Sequence, residues 1–196
     1  MEIYLVRHTT PDITKGICYG QADIDVTADF ATEQARILEK LTSIIDAEIY
    51  SSPLKRCKIL AESIGRTVSY DNRLKELDFG DWELKAWDTI PKKEIDPWMK
   101  DFVHVKTTGG ESYEDLEKRV LDFFAEVTNV DAAKDEEKCV IIVTHAGVMR
   151  ALLANILRMD LKDSFSISLT YGHVVKIAKN QQGFKIIEGL VTLQKK

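Results

Sequence analysis

Two short apolar runs stand at opposite ends of the chain, Ile3-Tyr4-Leu5-Val6 and Val140-Ile141-Ile142-Val143. Each is too short for a buried helix and predicts a strand covered on both faces. The second is the stronger prediction, because all of its residues are β-branched. Between and after them the apolar positions recur at helical spacing. Phe30, Ile37, Leu38, Leu41, Ile44 and Ile45 share one face of a helix over 30–45, with Thr27 as its expected cap. Leu116, Val120, Phe123, Phe124 and Val127 share a second face, entered through a capping pair of Ser112 and Asp115. Val148, Leu152, Leu153, Ile156 and Leu157 mark a third helix. A strand is predicted near 47–50, a helix from Ser51-Ser52-Pro53, and two weaker strands near 174–178 and 184–187. Strands that alternate with helices predict an α/β fold: a three-layer sandwich with a mostly parallel central sheet flanked by helices.

The periodicity fades over residues 71–110, which hold all three tryptophans and end in Gly109-Gly110. This stretch reads as a loop and short helices lying over one end of the domain, with a lid-like insertion at about 84–110. Asp131 to Lys138 reads as a charged surface loop. A length of 196 residues, 44% hydrophobic and 30% charged, fits a single globular domain over 1–196. A net charge of −5 argues against a nucleic-acid surface or a polybasic membrane patch. No apolar run approaches the roughly 20 residues that span a bilayer. Met1 to Val6 is too short, and lacks the basic flank, for a signal peptide. Three cysteines without a C-x-x-C pair indicate neither a disulfide framework nor a zinc knuckle, so a cytoplasmic location is expected. A homodimer is left open.

The candidate chemistry sits at strand ends. His8 follows the first apolar run through Arg7, and His145 follows the other through Thr144. In open α/β sheets ligands bind beyond the carboxyl ends of the strands, so parallel neighbours would bring both imidazoles to one edge. Either histidine alone is more often a satisfied side chain; two in matching positions reverse those odds. Arg56 falls one turn into the helix after the second strand, and Glu76 lies in a turn-rich loop. Each alone would be an ordinary surface charge. Together, two histidines, two arginines and a carboxylate form a phosphoryl-transfer set that needs neither metal nor cofactor, with a small phosphate ester as its partner. Gly147, at a helix start, leaves backbone N–H groups free to face an anion.

Five blocks in order, Val6-Arg7-His8-Thr9, Ser51 to Arg56, Leu74 to Glu83, Gly109 to Ser112 and Val143 to Arg150, resemble the histidine phosphatase (phosphoglycerate-mutase-like) superfamily over nearly the whole chain. The resemblance implies that His8 is the nucleophile and that Arg7, Arg56 and His145 hold the phosphoryl group. It makes Glu76 the proton donor, with Glu83 the rival carboxylate outside the matching position. Thr9-Thr10, Thr14 and Phe30 depart from the common family pattern. Gly16 to Asp23, with Phe30 and the 78–83 and 109–112 blocks, is most similar to the alpha-ribazole phosphatases, which implies hydrolysis of α-ribazole 5′-phosphate. A general histidine phosphatase, a phosphoglycerate mutase and an inactive phospholigand-binding module are the alternatives. Thr9, Gln21 and Ala146 are candidate substrate contacts, a turn role being equally open for Thr9 and Gln21. Trp87, Trp98 and Phe102 offer a face for an aromatic base, against ordinary packing of the lid.

Asp23-Ile24-Asp25-Val26-Thr27 matches the D-x-D-x-T pattern of magnesium-dependent aspartyl-phosphate enzymes, but no hydrophobic strand leads into it. It reads as a loop. No arginine stands six residues after Cys18, Cys57 or Cys139, which excludes a cysteine-dependent phosphatase. Four histidines, two of them poorly placed, fall short of a binuclear metal site.

Overall fold

The computed structural model describes residues 1–41, 44, 46–65, 67–129 and 138–189. Six strands form one sheet in the order β3-β2-β4-β1-β5-β6: β1 (Glu2–Arg7), β2 (Glu48–Ser51), β3 (Val68–Tyr70), β4 (Cys139–Thr144), β5 (Val174–Asn180) and β6 (Gly183–Glu188). The pairings among β3, β2, β4 and β1 are parallel, whereas β5 and β6 add an antiparallel edge.

The side-chain period of two sorts β1 and β4 into two cores. Ile3, Leu5, Val140 and Ile142 pack with α4 (Tyr113–Thr128) and α5 (Ala146–Leu157). Tyr4, Val6, Ile141 and Val143 pack with α1 (Phe30–Leu41) and α2 (Lys55–Ser63) on the other face. The result is the expected three-layer α/β sandwich. One more helix, α3 (Lys92–Lys100), lies in the tryptophan-rich segment among short 3-10 turns. Among the described residues, no helix is long and apolar enough to cross a membrane.

Several local expectations need correction. Helix α1 ends at Leu41, and the predicted extension over residues 42, 43 and 45 lies outside the described residues, as does 131–137 of the charged loop. Thr27 is not the cap of α1; it offers its backbone carbonyl to the Phe30 N–H, and the helix turns in from Asp29. Pro53 precedes α2 rather than starting it, because Leu54 is still extended and Ser52 Oγ takes its N–H. Strand β3 was not foreseen: three residues are too few to display an alternation.

Ser112 and Asp115 form a reciprocal capping box at the start of α4, each side chain bonded to the other's backbone N–H. Ser112→Ala should therefore lower stability by about 1 kcal/mol, read from the urea or thermal midpoint.

Candidate active site

The parallel register of β1 and β4 sets Arg7 opposite Thr144, so the next residues, His8 and His145, leave the sheet side by side. The His8 N–H donates to Thr144 O at 3.0 Å, continuing the ladder one step past the strand. The two rings lie 5.1 Å apart, centre to centre, in an edge-on arrangement. Ser52, just past the end of β2, joins them: its N–H donates to Val143 O, and its Oγ lies 2.9 Å from His145 Nε2. Cys57 Sγ stands 3.4 Å from the same nitrogen.

His8 Nδ1 lies 2.6 Å from Thr9 O. A carbonyl only accepts, so Nδ1 carries the proton and Nε2 keeps the lone pair. Burial, reinforced by the Arg56 and Arg7 guanidiniums, holds the His8 pKa well below its ordinary value, and burial and Arg56 do the same to His145. Both rings are neutral at pH 7.

Among the described residues the guanidiniums have no carboxylate partner. Arg7 donates to Leu169 O at 2.6 Å and lies 4.0 Å from the Tyr171 ring centre. Fully buried Arg56 donates to Ala22 O and Gly20 O, at 2.9 and 2.5 Å. The Nε donors of both arginines and Thr9 Oγ1 are buried with no partner among the described residues. Leaving a buried donor without a partner costs roughly 1–3 kcal/mol.

Arg7, His8, Glu76, Ala146 and Gly147 line a cavity of about 230 Å³, whose walls are completed by Ile17, Tyr19, Leu77, Phe79, Trp87, Tyr113, Arg150 and Phe165. His145 and Arg56 are fully buried beside this lining. Glu76 Oε2 accepts from the Gly147 N–H at 3.1 Å, and Oε1 from the Leu77 N–H. Gly147 permits this approach, since a Cβ there would come within 2.2 Å of Glu76 Oε1. Glu83 is occupied elsewhere: its carboxylate accepts from the N–H groups of Gly20, Gln21, Ala22 and Phe79.

Gln21 does not line the cavity; its Nε2 donates to Glu76 O, which ties its loop to the one carrying the carboxylate. Of the three aromatics expected to offer a stacking face, Trp87 lines the cavity. Trp98 and Phe102 do not. Trp98 packs against Phe79, Trp82 and Trp87, and Phe102 against Tyr113 and Phe165. His104 is exposed beside Asp101, and His173 is half-buried at the turn before β5. Asp23 and Asp25 lie in a loop, where Asp23 accepts from the Lys55 N–H and Asp25 pairs with the Lys55 ammonium. Among the described residues there is no group of three or more His, Cys, Asp or Glu side chains suited to a metal ion. Ser52, Tyr19, Tyr171 and Arg150 were missed as site residues. Ser52 follows a strand end and obeys the same rule as the histidines; Arg150 shares a helix face with Ala146; nothing local marks Tyr171.

A mostly parallel sheet with two imidazoles, two guanidiniums and a carboxylate at the carboxyl edge of its parallel strands defines a histidine-based phosphoryl-transfer class of protein. The chain matches the model of the histidine phosphatase superfamily (branch 1) over residues 3–189 and belongs to that family. It is 29% identical over 185 residues to a Hydrogenobacter thermophilus protein provisionally named phosphoserine phosphatase 2, covering 89% of this chain and 88% of that one. It is 28% identical over 166 residues to a Salmonella paratyphi C protein provisionally named phosphoglycerate mutase GpmB, covering 80% and 75%. In fold it is similar to the alpha-ribazole phosphatase from Shigella flexneri, with a TM-score of 0.86, 21% identity and 100% of both chains covered.

Two outcomes follow from this geometry. Gly147→Ala should leave the fold intact, because the clash falls on the end of a side chain, yet displace the Glu76 carboxylate. Turnover of an alkyl phosphate should drop at least about tenfold, a part of the roughly 10²–10⁴ that a positioned general acid contributes. The depressed imidazoles also make stability depend on pH. Below the ordinary value of 6.5 the unfolded chain binds protons that the folded chain refuses, so stability is full above that pH and is lost as pH falls beneath it. The thermal midpoint of the ligand-free protein should decline from pH 7 to pH 5, more steeply than that of a His8→Asn, His145→Asn double variant.

Proposed function

We propose that this chain hydrolyses phosphate monoesters through a phosphohistidine formed on His8. The observation that carries the reading is an oriented, neutral imidazole in a cavity lined also by Arg7 and Glu76, with fully buried Arg56 near it. His8 Nε2 donates its lone pair to phosphorus as the ester P–O bond breaks. Arg7, Arg56 and His145 bind the phosphoryl oxygens, and the leaving alkoxide takes the proton of the Glu76 carboxyl. Water then gives a proton to the Glu76 carboxylate while its oxygen bonds to phosphorus. The N–P bond breaks, its electron pair returns to His8, and inorganic phosphate leaves. The scheme uses side chains alone.

For the ester itself we propose α-ribazole 5′-phosphate, hydrolysed in the assembly of the cobalamin nucleotide loop. The similarity of the Gly16 to Asp23 segment supports this, as do the cavity walls of Tyr19, Phe79 and Trp87, which suit a planar base. Thr9 and Ala146 take part as substrate contacts. Arg150 favours a second reading. It lines the cavity over the Phe165 ring, donates Nε to Ile167 O and has no ion pair among the described residues, so a phosphorylated hydroxy or amino acid could offer it a carboxylate. Both readings place the chain in the cytoplasm, in keeping with three free cysteines.

The test is phosphate release in EDTA from α-ribazole 5′-phosphate, phosphoserine, 3-phosphoglycerate and an aryl phosphate, with wild type and His8→Ala. We expect metal-free turnover with the ribazole ester preferred, and its loss in a folded His8→Ala variant. Preference for the carboxylate-bearing esters would select the second reading. Near-wild-type activity of His8→Ala, or activity only after magnesium is restored, would sink the mechanism.

A further inference from the structure

Glu76 belongs to no helix or strand of the fold. It follows a single 3-10 turn over Asn72–Leu74 and precedes another loop. Such a segment has no ladder of its own to set the position of a carboxylate to within the few tenths of an ångström that proton transfer demands. Its backbone carbonyls still need donors. Leu74 O receives one from Thr144 Oγ1 at 2.8 Å. Gln21 Nε2 reaches Glu76 O and Thr107 Oγ1 reaches Asp78 O, at 3.2 and 3.1 Å, and the carbonyls of residues 73, 75 and 76 share one further side chain.

Arg119, on α4, donates Nη1 to Arg73 O and Lys75 O at 2.6 and 2.7 Å, and Nη2 to Glu76 O at 3.0 Å. Its remaining donors go to Glu111, Nε to Oε2 at 3.0 Å and Nη2 to Oε1 at 2.5 Å. Glu111 Oε1 accepts from the Asp78 N–H as well, at 3.0 Å. One arginine–glutamate pair thus grips the loop on both sides of Glu76, at residues 73, 75, 76 and 78. The ion pair is 19% and 16% exposed, far from a solvated surface bridge. Arg119 does not line the cavity, so it touches neither the ester nor the reacting atoms. A planar fork can meet several carbonyls and a carboxylate at once, which an ammonium cannot.

We propose that Arg119, locked by Glu111, is a positioning residue for the Glu76 acid: it sets the loop so that the carboxyl meets the leaving oxygen. This rests on the phosphohistidine reading above and on Glu76 as its proton donor. Removing Arg119 should weaken protonation of the leaving group and spare the phosphoryl end, where Arg7, His8 and Arg56 belong to other elements.

The experiment is a double-variant cycle with two esters, an alkyl phosphate whose alkoxide needs a proton and 4-nitrophenyl phosphate, which leaves without one. Values of kcat/KM, which report the phosphorylation step, are compared for wild type, Arg119→Ala, Glu76→Gln and the double variant. Arg119→Ala should lose about 100-fold on the alkyl ester, in the lower range of a general acid, and at most a few-fold on the nitrophenyl ester. Adding it to Glu76→Gln should change the alkyl rate by less than about threefold, since the two act as a unit. Arg119→Lys and Glu111→Gln should give intermediate losses with the same ester preference, and they replace the alanine variant in the cycle if it does not fold. Equal losses on both esters, or additivity with Glu76→Gln, would reduce Arg119 to a structural clamp and overturn the proposal. The failure of the reading beneath it looks different: Glu76→Gln itself would then show no preference between the esters.

Discussion

The site depends first on one pairing, β1 against β4 in parallel, with Arg7 opposite Thr144. A one-residue slip would turn every side chain of β1 to the opposite core and move His8 out of step with His145. The register is held by both cores at once. Ile3 and Leu5 pack on the α4–α5 side, Tyr4 and Val6 on the α1–α2 side. A strand buried on both faces has no polar side to trade, so hydrophobic burial fixes the separation of two imidazoles that neither touches nor needs them.

Burying those imidazoles among arginines runs against ordinary stability. Arg56 is fully buried, Arg56 and Arg7 both act on His8, and no carboxylate among the described residues pairs with either. The folded chain tolerates this by spending part of each guanidinium on backbone carbonyls and by keeping both rings neutral. On the phosphohistidine reading proposed above, the same feature prepares the phosphoryl end of the site, and the neutral ring with its proton on Nδ1 is the form that attacks.

How much of this was legible in the sequence follows from the range of each interaction. The sheet, its two buried strands and the histidines behind them could be read because strand ends are local features and apolar runs announce them. The capping box of Ser112 and Asp115 was legible for the same reason: both halves lie within one helical turn. Trp98 and Phe102 were not placed, because which aromatic faces a cavity depends on packing among residues far apart in the chain. Glu83 and Gln21 resemble ligand-facing residues in sequence, yet the structure uses one to bind four N–H groups and the other to hold Glu76 O. Motif similarity supplied the position of Glu76, but no local pattern shows what anchors it.

The two halves of the site therefore have different mechanical origins. The phosphoryl end grows from the sheet edge, where ladder bonds and two cores set each atom. The acid end is a loop, and its precision is borrowed from three separate contacts: Arg119 with Glu111, Gln21, and the bare Cα of Gly147. A loop so held can carry a carboxyl as rigidly as a strand would, while the residues that follow it, Leu77 and Phe79, remain free to shape the leaving-group side of the cavity. Phosphoryl binding then varies little without loss of the fold, whereas the leaving-group wall, made of Tyr19, Phe79, Trp87, Arg150 and Phe165, can change residue by residue. The leaving-group wall is thus the part of the site that can change without disturbing the sheet edge, in accord with relatives whose names carry different phosphate substrates.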